Sequence, residues 1–335
     1  MRPLMKRNTL TNDFSWSKSR HEKFSECLKA YYLYYYGSWG GWEAEAPKEK
    51  RELYVLKKLS NRYSWAGSVV HESIRDVLLD WRAGRTVDPA AVEARARRQM
   101  QDDFRHSQKK SFWTQKYRKG FTGLVEHEYA EPVTDEAWKQ NWETVRAALA
   151  WFFSSRWPGL AHSLKPAQWL EVDAGFDFSS FTLEGVKMFA IPDFAYVDEA
   201  GAPVVVDWKT GKARDGYDEQ VLGYALYVSQ RYKLPMEKVR ASLVYLNEGL
   251  EQDVQVDMAA LASFKQRFSE SVAKMRSMLK DPATNTPREA DAFPMTGDVS
   301  MCVRCAFRRP CGRTEAAAQF QAQQAQQAAQ TTKVA

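Results

Sequence analysis

The hydrophobic period switches from helical to strand spacing near Pro158, and that switch limits the folds open to the chain. Before Pro158 the apolar residues recur at helical spacing. Val70, Ile74, Val77, Leu78 and Trp81 fall at i, i+4, i+7, i+8 and i+11, one stripe of a helix from about Ser60 to Arg82. An aromatic-crowded helix is expected earlier, from Ser15 to Trp42, and a charge-rich helical stretch runs on to Trp157, closed by Pro158-Gly159. After that point the period is two. Trp169–Val172, Phe176–Phe181, Met188–Val197 and Pro203–Trp208 read as strands, with Asp198-Glu199-Ala200-Gly201 as the hairpin turn between the last two. A helix at Tyr217–Tyr232, a strand at Ala241–Leu246, an edge strand at Val254–Val256 and a helix at Ala259–Leu279 follow, ended by Asp281-Pro282. Helix, strands, helix, strand in that order predict an α/β fold with a mixed sheet.

Length and composition narrow the class. At 335 residues, 44% hydrophobic and 13% aromatic, the chain holds ample material for a sizeable core and global disorder is excluded. No apolar run approaches the ~18 residues of a membrane helix. The N-terminal Met-Arg-Pro-Leu-Met-Lys-Arg is basic, but Asn8 to Arg20 lack the apolar core of a signal peptide, so a soluble, cytoplasmic protein with no membrane partner is expected. A net charge of +6 mildly favours a polyanionic partner. No Gly-x-x-x-x-Gly-Lys-Ser/Thr loop, His-Glu-x-x-His zincin or serine-nucleophile motif occurs, so an ATP motor would act in trans. There is no internal repeat. The last 22 residues contain eight Ala and seven Gln without a regular apolar stripe, and read as a disordered tail or a frayed helix outside the fold.

The chemistry concentrates in Ile191-Pro192-Asp193-Phe194 and Val204-Val205-Val206-Asp207-Trp208-Lys209-Thr210-Gly211. Two carboxylates on neighbouring strands can converge on one point, and hard cations such as Mg²⁺ take oxygen ligands. Strand alternation puts Lys209 on the face of Asp207, where its ammonium can orient water and offset developing charge. Asp-x-Lys by itself is common at solvated strand ends; the buried-looking valine run before it and the added Asp193 make it a site. His71 stands on the margin of an apolar helical stripe with Gly67 one turn back, and Gln220 and Tyr224 share a helix face at i and i+4. A structural histidine and a polar helix face are the bland readings of those residues taken alone.

Pro192-Asp193…Asp207-Trp208-Lys209 resembles the PD-(D/E)XK nuclease superfamily. With Gly67-Ser-Val-Val-His71 upstream and Gln220-x-x-x-Tyr224 downstream, the pattern looks like its RecB-type branch. The resemblance implies a restriction-endonuclease-like core, a mixed central sheet flanked by helices, with Mg²⁺ or Mn²⁺ held by His71, Asp193 and Asp207. It also implies a catalytic Lys209, with Gln220 and Tyr224 supporting and Glu171 at a frequently acidic position. One departure stands out: many members carry a Gly shortly before the first acidic ligand, whereas Ala190-Ile191-Pro192 precedes Asp193 and the nearest upstream glycine is Gly185.

The four cysteines are lopsided. Cys302-x2-Cys305-x5-Cys311 forms a compact trio and Cys27 stands alone near the other end. Their spacing admits zinc held by four thiolates or an iron–sulfur cluster. The arrangement resembles the iron staple of AddB-type and CRISPR-associated RecB-like nucleases, which implies a structural [4Fe–4S] cluster tying the chain ends together, with zinc the lesser alternative. The resemblance divides the chain into three regions. Residues 1–160 are a helical region with Cys27, His71 and a basic aromatic stretch, 161–313 the nuclease core and cysteine cluster, and 314–335 the tail.

Residues 93–120 hold nine Lys or Arg against three acids, with rings interleaved. Cations for phosphates and rings for bases are the means of binding single strands, and Lys109, Lys110, Trp113, Lys116, Tyr117, Arg118 and Lys119 are the candidates. An exposed basic helix with its rings turned to the core is the competing reading. The expected activity is metal-dependent hydrolysis of DNA phosphodiesters, of exonuclease or flap type on single-stranded ends, with a helicase or recombination partner in trans. A non-cleaving nucleic-acid-binding subunit of a repair or recombination complex and an RNA-directed nuclease share these features.

Overall fold

The computed structural model describes residues 10–173, 179–213, 216 and 218–334. The basic N-terminal run, Phe176 of the second expected strand and Tyr217 at the expected helix start lie outside them. Ser15–Trp16 forms a short strand, β1, followed by helices α1 (Lys18–Glu26) and α2 (Leu28–Tyr32). The single helix expected from Ser15 to Trp42 is thus interrupted at Cys27, whose extended backbone ends α1 and begins α2. A π-helical turn at Leu33–Gly37 leads to α3 (Lys48–Leu56).

Helix α4 (Arg62–Arg82) forms where its apolar stripe predicts. Asn61 caps it, its Oδ1 accepting from the N–H groups of Tyr63 and Ser64, and Val70, Ile74 and Val77 are fully buried. Helices α5 (Pro89–Gln108) and α6 (Asp135–Ser154) pack on it. Pro158-Gly159 does not close the helical stretch. It lies in the first turn of a further short helix, Trp157–Ser163, where the missing proline N–H breaks no hydrogen bond.

Strands β2 (Trp169–Glu171), β3 (Ser180–Leu183), β4 (Val186–Phe189), β5 (Phe194–Val197) and β6 (Pro203–Lys209) come next. Helix α7 (Asp218–Tyr232), β7 (Arg240–Tyr245), the edge strand β8 (Leu250–Val254) and α8 (Met258–Ser277) complete the core. The central sheet runs β8-β7-β6-β5-β2, with β6 and β7 parallel across α7 and the other pairs antiparallel. This is a mixed α/β sheet flanked by helices. The expected strand Met188–Val197 is two strands: β4 pairs with β1 and β3 in a small separate sheet, and β5 belongs to the central one. Ile191-Pro192 makes the crossing, and proline cannot donate to a ladder. The β5–β6 turn is where the sequence puts it; Asp198 N–H donates to Ala202 O and Gly201 takes a positive φ of 79°.

The Ala/Gln segment departs from expectation. Thr314–Val334 is a helix, α9, with Ala317 fully buried and Gln321 donating to Glu131. Both residue types favour helix, and packing of the first turns anchors it. Among the described residues no helix is long and apolar enough to cross a membrane.

Alternation along β6 positions everything that follows. Val204, Val206 and Trp208 enter the core shared with α4, α5 and α6, while Val205 packs against Val221, Ala225 and Val228 of α7. Trp208 is 1% exposed and meets Phe152 and Trp157 edge-on. Asp207 and Lys209 must therefore take the α7 face. Trp208→Ala should lower the stability found by urea denaturation by roughly 3–5 kcal/mol, the cost of truncating a buried tryptophan. An unchanged midpoint would contradict this packing.

Candidate active site

The β5–β6 register pairs Phe194 with Val206, so one residue further Asp193 stands opposite Asp207. Asp193 precedes β5 in a short connection and is pinned there without a glycine. Its Oδ2 accepts from the backbone N–H of Trp208 at 2.8 Å, and its Oδ1 lies 2.9 Å from His71 Nδ1. His71 comes from α4, and Gly67 one turn earlier lets that helix approach the end of β6. A Cβ at Gly67 would lie 3.1 Å from Thr210 Oγ1, which is tighter than ordinary contact.

Lys209 completes a chain of contacts across to α7. Its Nζ lies 2.5 Å from Asp207 Oδ2 and donates to Gln220 Oε1 at 2.8 Å; Gln220 Nε2 donates to Tyr224 OH at 2.6 Å. The Lys209 ammonium is thus an ion-pair partner of the buried Asp207 carboxylate. His71, Asp193, Asp207, Lys209, Gln220 and Tyr224 thus form one connected group assembled from α4, the sheet and α7. Among the described residues, no three His, Cys, Asp or Glu side chains stand round one metal position.

Glu171 is set apart. Its Oε1 accepts from both Tyr227 and Tyr232 of α7 at 2.8 Å, in a 7% exposed position. A second acid escaped the sequence reading: Asp173 pairs with Arg75 at 3.7 Å, one helical turn past His71, and its charge reaches Tyr224. Asp173 lies past the end of β2 with a positive φ of 33°, so strand alternation carries no signal for it.

Electrostatics follow from burial and pairing. Burial pushes the Asp207 carboxyl up to about 6; Lys209 opposes the shift and the Asp193 charge adds to it. His71 moves the other way relative to its burial, which favours neutral imidazole. The charge and hydrogen bond of Asp193, with the Asp207 charge, outweigh burial and raise it to about 9. Burial also holds the Tyr224 phenol well above its usual range, and the Asp207 and Asp193 charges reinforce this.

The four cysteines are reduced and half-buried; Cys27, Cys305 and Cys311 pack in one cluster where α1, α2 and the Cys302–Cys311 loop meet, and Cys302 lines the adjoining cleft with Cys27 and Cys305. Cys27 Sγ accepts from Ala30 N–H at 3.5 Å and Cys305 Sγ from Phe307 N–H at 3.4 Å. The loop is fastened to the helical region by Tyr129 OH on Ala306 O at 2.7 Å, and by pairs of Arg308 with Glu131 and Arg309 with Glu128 and Glu52. Burial raises Cys302, Cys305 and, to about 11, Cys311; charge on the neighbouring thiolates raises each further.

Of the seven residues expected to contact nucleic acid, Trp113, Lys116, Tyr117, Arg118 and Lys119 line one large cleft, whereas Lys109 and Lys110 do not. Lys110 donates to Glu128 O and Trp113 Nε1 to Glu128 Oε2, both at 2.8 Å. Arg118 is occupied structurally, with two 2.7 Å bonds to the fully buried Asp103 and a 3.0 Å bond to Glu72.

A family model of the PD-(D/E)XK nuclease superfamily matches residues 15–312. The chain belongs to that superfamily. No curated protein matches it significantly. The match covers both the sheet that carries Asp193, Asp207 and Lys209 and the α4 segment that carries His71, so the group sits within the superfamily's extent.

The raised Asp207 predicts how stability varies with pH. A carboxyl whose folded pKa is about 6, against 3.8 in the unfolded chain, binds its proton more tightly when folded, so stability falls as pH rises between those values. In chelator-treated protein, Asp207→Asn should therefore be the more stable form at pH 8, by on the order of 2–3 kcal/mol, with the gap closing below pH 4. Thermal denaturation across pH checks this; a destabilised variant at pH 8 would contradict the assigned sign.

Proposed function

We propose that the protein is a metal-dependent DNA nuclease of the RecB-like branch, an exonuclease or flap-type enzyme on single-stranded ends. One observation carries the reading. The buried Asp207, paired with Lys209, lies in a group where Asp193 is anchored to Trp208 N–H and Lys209 to Gln220. Two carboxylates and an imidazole fit Mg²⁺ or Mn²⁺ by donor chemistry, and Asp193, Asp207 and His71 are the residues that would hold it. When bound, such an ion supplies Lewis-acid chemistry at the scissile phosphate.

The chain's own residues do the rest. The Trp208 N–H fixes the Asp193 carboxylate, so its free rotation is not lost at the moment of reaction. Lys209 brings a cation to the developing charge on phosphate and orients water. Gln220 keeps that ammonium turned toward Asp207, and Tyr224 fixes the Gln220 amide. Glu171 supports the same wall by clamping β2 to α7 through two tyrosines. By donor chemistry and spacing four cysteines suit a soft metal, and a [4Fe–4S] cluster is the proposed occupant, in a structural role, with Cys27, Cys302, Cys305 and Cys311 as ligands. It would join the α1–α2 junction to the C-terminal loop.

Asp207→Ala and Lys209→Ala should each cut Mg²⁺- or Mn²⁺-dependent cleavage of end-labelled single-stranded DNA by at least ~10²-fold with the fold intact by circular dichroism. Cleavage retained in both folded variants would overturn the assignment. Anaerobically purified protein should be brown, with broad visible absorption that bleaches on reduction and is absent from Cys27→Ser. Colourless protein with stoichiometric zinc would overturn the cluster.

A further inference from the structure

A large cavity lies away from the carboxylates. A cleft of about 1760 Å³ opens between α3, the 112–122 segment, the Cys302–Phe307 loop and the start of α9. Its lining is one-sided in charge: eight Lys or Arg face it and, among the described residues, a single acid, Glu26. Among the described residues, several of these cations have no carboxylate within salt-bridge distance. Lys57 and Lys58 stand side by side, held over aromatic rings rather than acids, Lys57 near Tyr34 and Tyr54 and Lys58 over Tyr54. Burial, with the charge of Lys58, lowers the Lys57 ammonium to about 8. Lys58, Lys116 and Lys119 are exposed. Tyr117, which lines the same cleft and is 38% exposed, stacks on His106 at 4.0 Å.

The cleft also has a direction. Ser64 and Ser68 of α4 line it, and His71 follows on the same helix three residues beyond Ser68, so the cleft runs along α4 toward Asp193. Like-charged lysines facing a cavity repel one another and favour a polyanion. An accessible ring can stack on a base only where the base is unpaired, which selects a single strand over a duplex.

We propose that this cleft seats the single-stranded tail of a DNA substrate. Phosphates would lie along Lys57, Lys58, Lys116 and Lys119 and a base against Tyr117, and α4 would lead the strand to the carboxylate centre. The proposal rests on the nuclease reading for its destination, but the seat itself is independent of cleavage.

The test uses the full chain in chelator, so that binding is read without cutting. Fluorescence anisotropy with labelled oligothymidylates and a matched duplex compares wild type, Lys58→Ala/Lys116→Ala/Lys119→Ala, Tyr117→Ala and the distant control Lys265→Ala. The triple variant should bind single strands at least tenfold more weakly. Its slope of log affinity on log salt should be shallower by about 2, from three lost phosphate contacts. Tyr117→Ala should weaken single strands about fivefold or more and the duplex little, and Lys265→Ala should match wild type. With Mg²⁺ restored, the triple variant should show a raised KM on long single strands and unchanged kcat. Unchanged affinity in both folded cleft variants, or tighter wild-type binding to duplex than to single strand, overturns the seat. Wild-type binding as described with no cleavage under any divalent metal would overturn the nuclease reading and leave the seat standing.

Discussion

The insertion of Trp208 into the helical core is the contact on which the arrangement depends. Because neighbouring residues of a strand point to opposite faces, burying that indole against Phe152 and Trp157 sends Asp207 and Lys209 toward α7. The same residue's N–H holds Asp193 Oδ2, so one tryptophan sets the direction of one carboxylate by its side chain and the position of another by its backbone. His71 reaches the pair only because α4 packs on the face where Trp208 is buried.

Charge is balanced locally around the centre. His71 answers Asp193 and Lys209 answers Asp207, while Gln220 and Tyr224 close the polar chain against α7. This lets two carboxylates lie together in a dry setting, where an unpaired charge costs several kcal/mol. The residual strain shows in Asp207, whose carboxyl is harder to ionise than usual despite the lysine beside it. The large basic cleft has the opposite character: among the described residues Lys58, Lys116 and Lys119 have no acid within salt-bridge distance, and they are exposed. One region is charge-matched within the protein; the other leaves its charge to a partner.

Much of this was legible in the residues. The apolar stripe of α4, the Val-Val-Val run before Asp207 and the Asp198–Gly201 turn each state their conformation locally, and each is found where expected. The errors came where local pattern continues through a break. Met188–Val197 alternates without interruption, yet Ile191-Pro192 moves the chain between sheets. Ser15–Trp42 reads as one aromatic helix, yet Cys27 divides it. The Ala/Gln tail lacks a stripe, but helix propensity and a packed first turn suffice to form α9. Arg118 looked like its basic neighbours, and only Asp103 and Glu72 distinguish it.

The sequence by itself determined the α/β class, the alternation that keeps Asp207 and Lys209 on one face, and the identities of the groups available for chemistry. These are properties of neighbours along the chain, set by backbone geometry. Tertiary structure alone decided which distant groups meet: His71 with Asp193, the four cysteines beside one another, Glu171 with two tyrosines, and which lysines are left facing a cleft. Those pairings join elements whose relative placement comes from non-directional apolar packing, and such packing leaves no short-range signature from which its partners can be read.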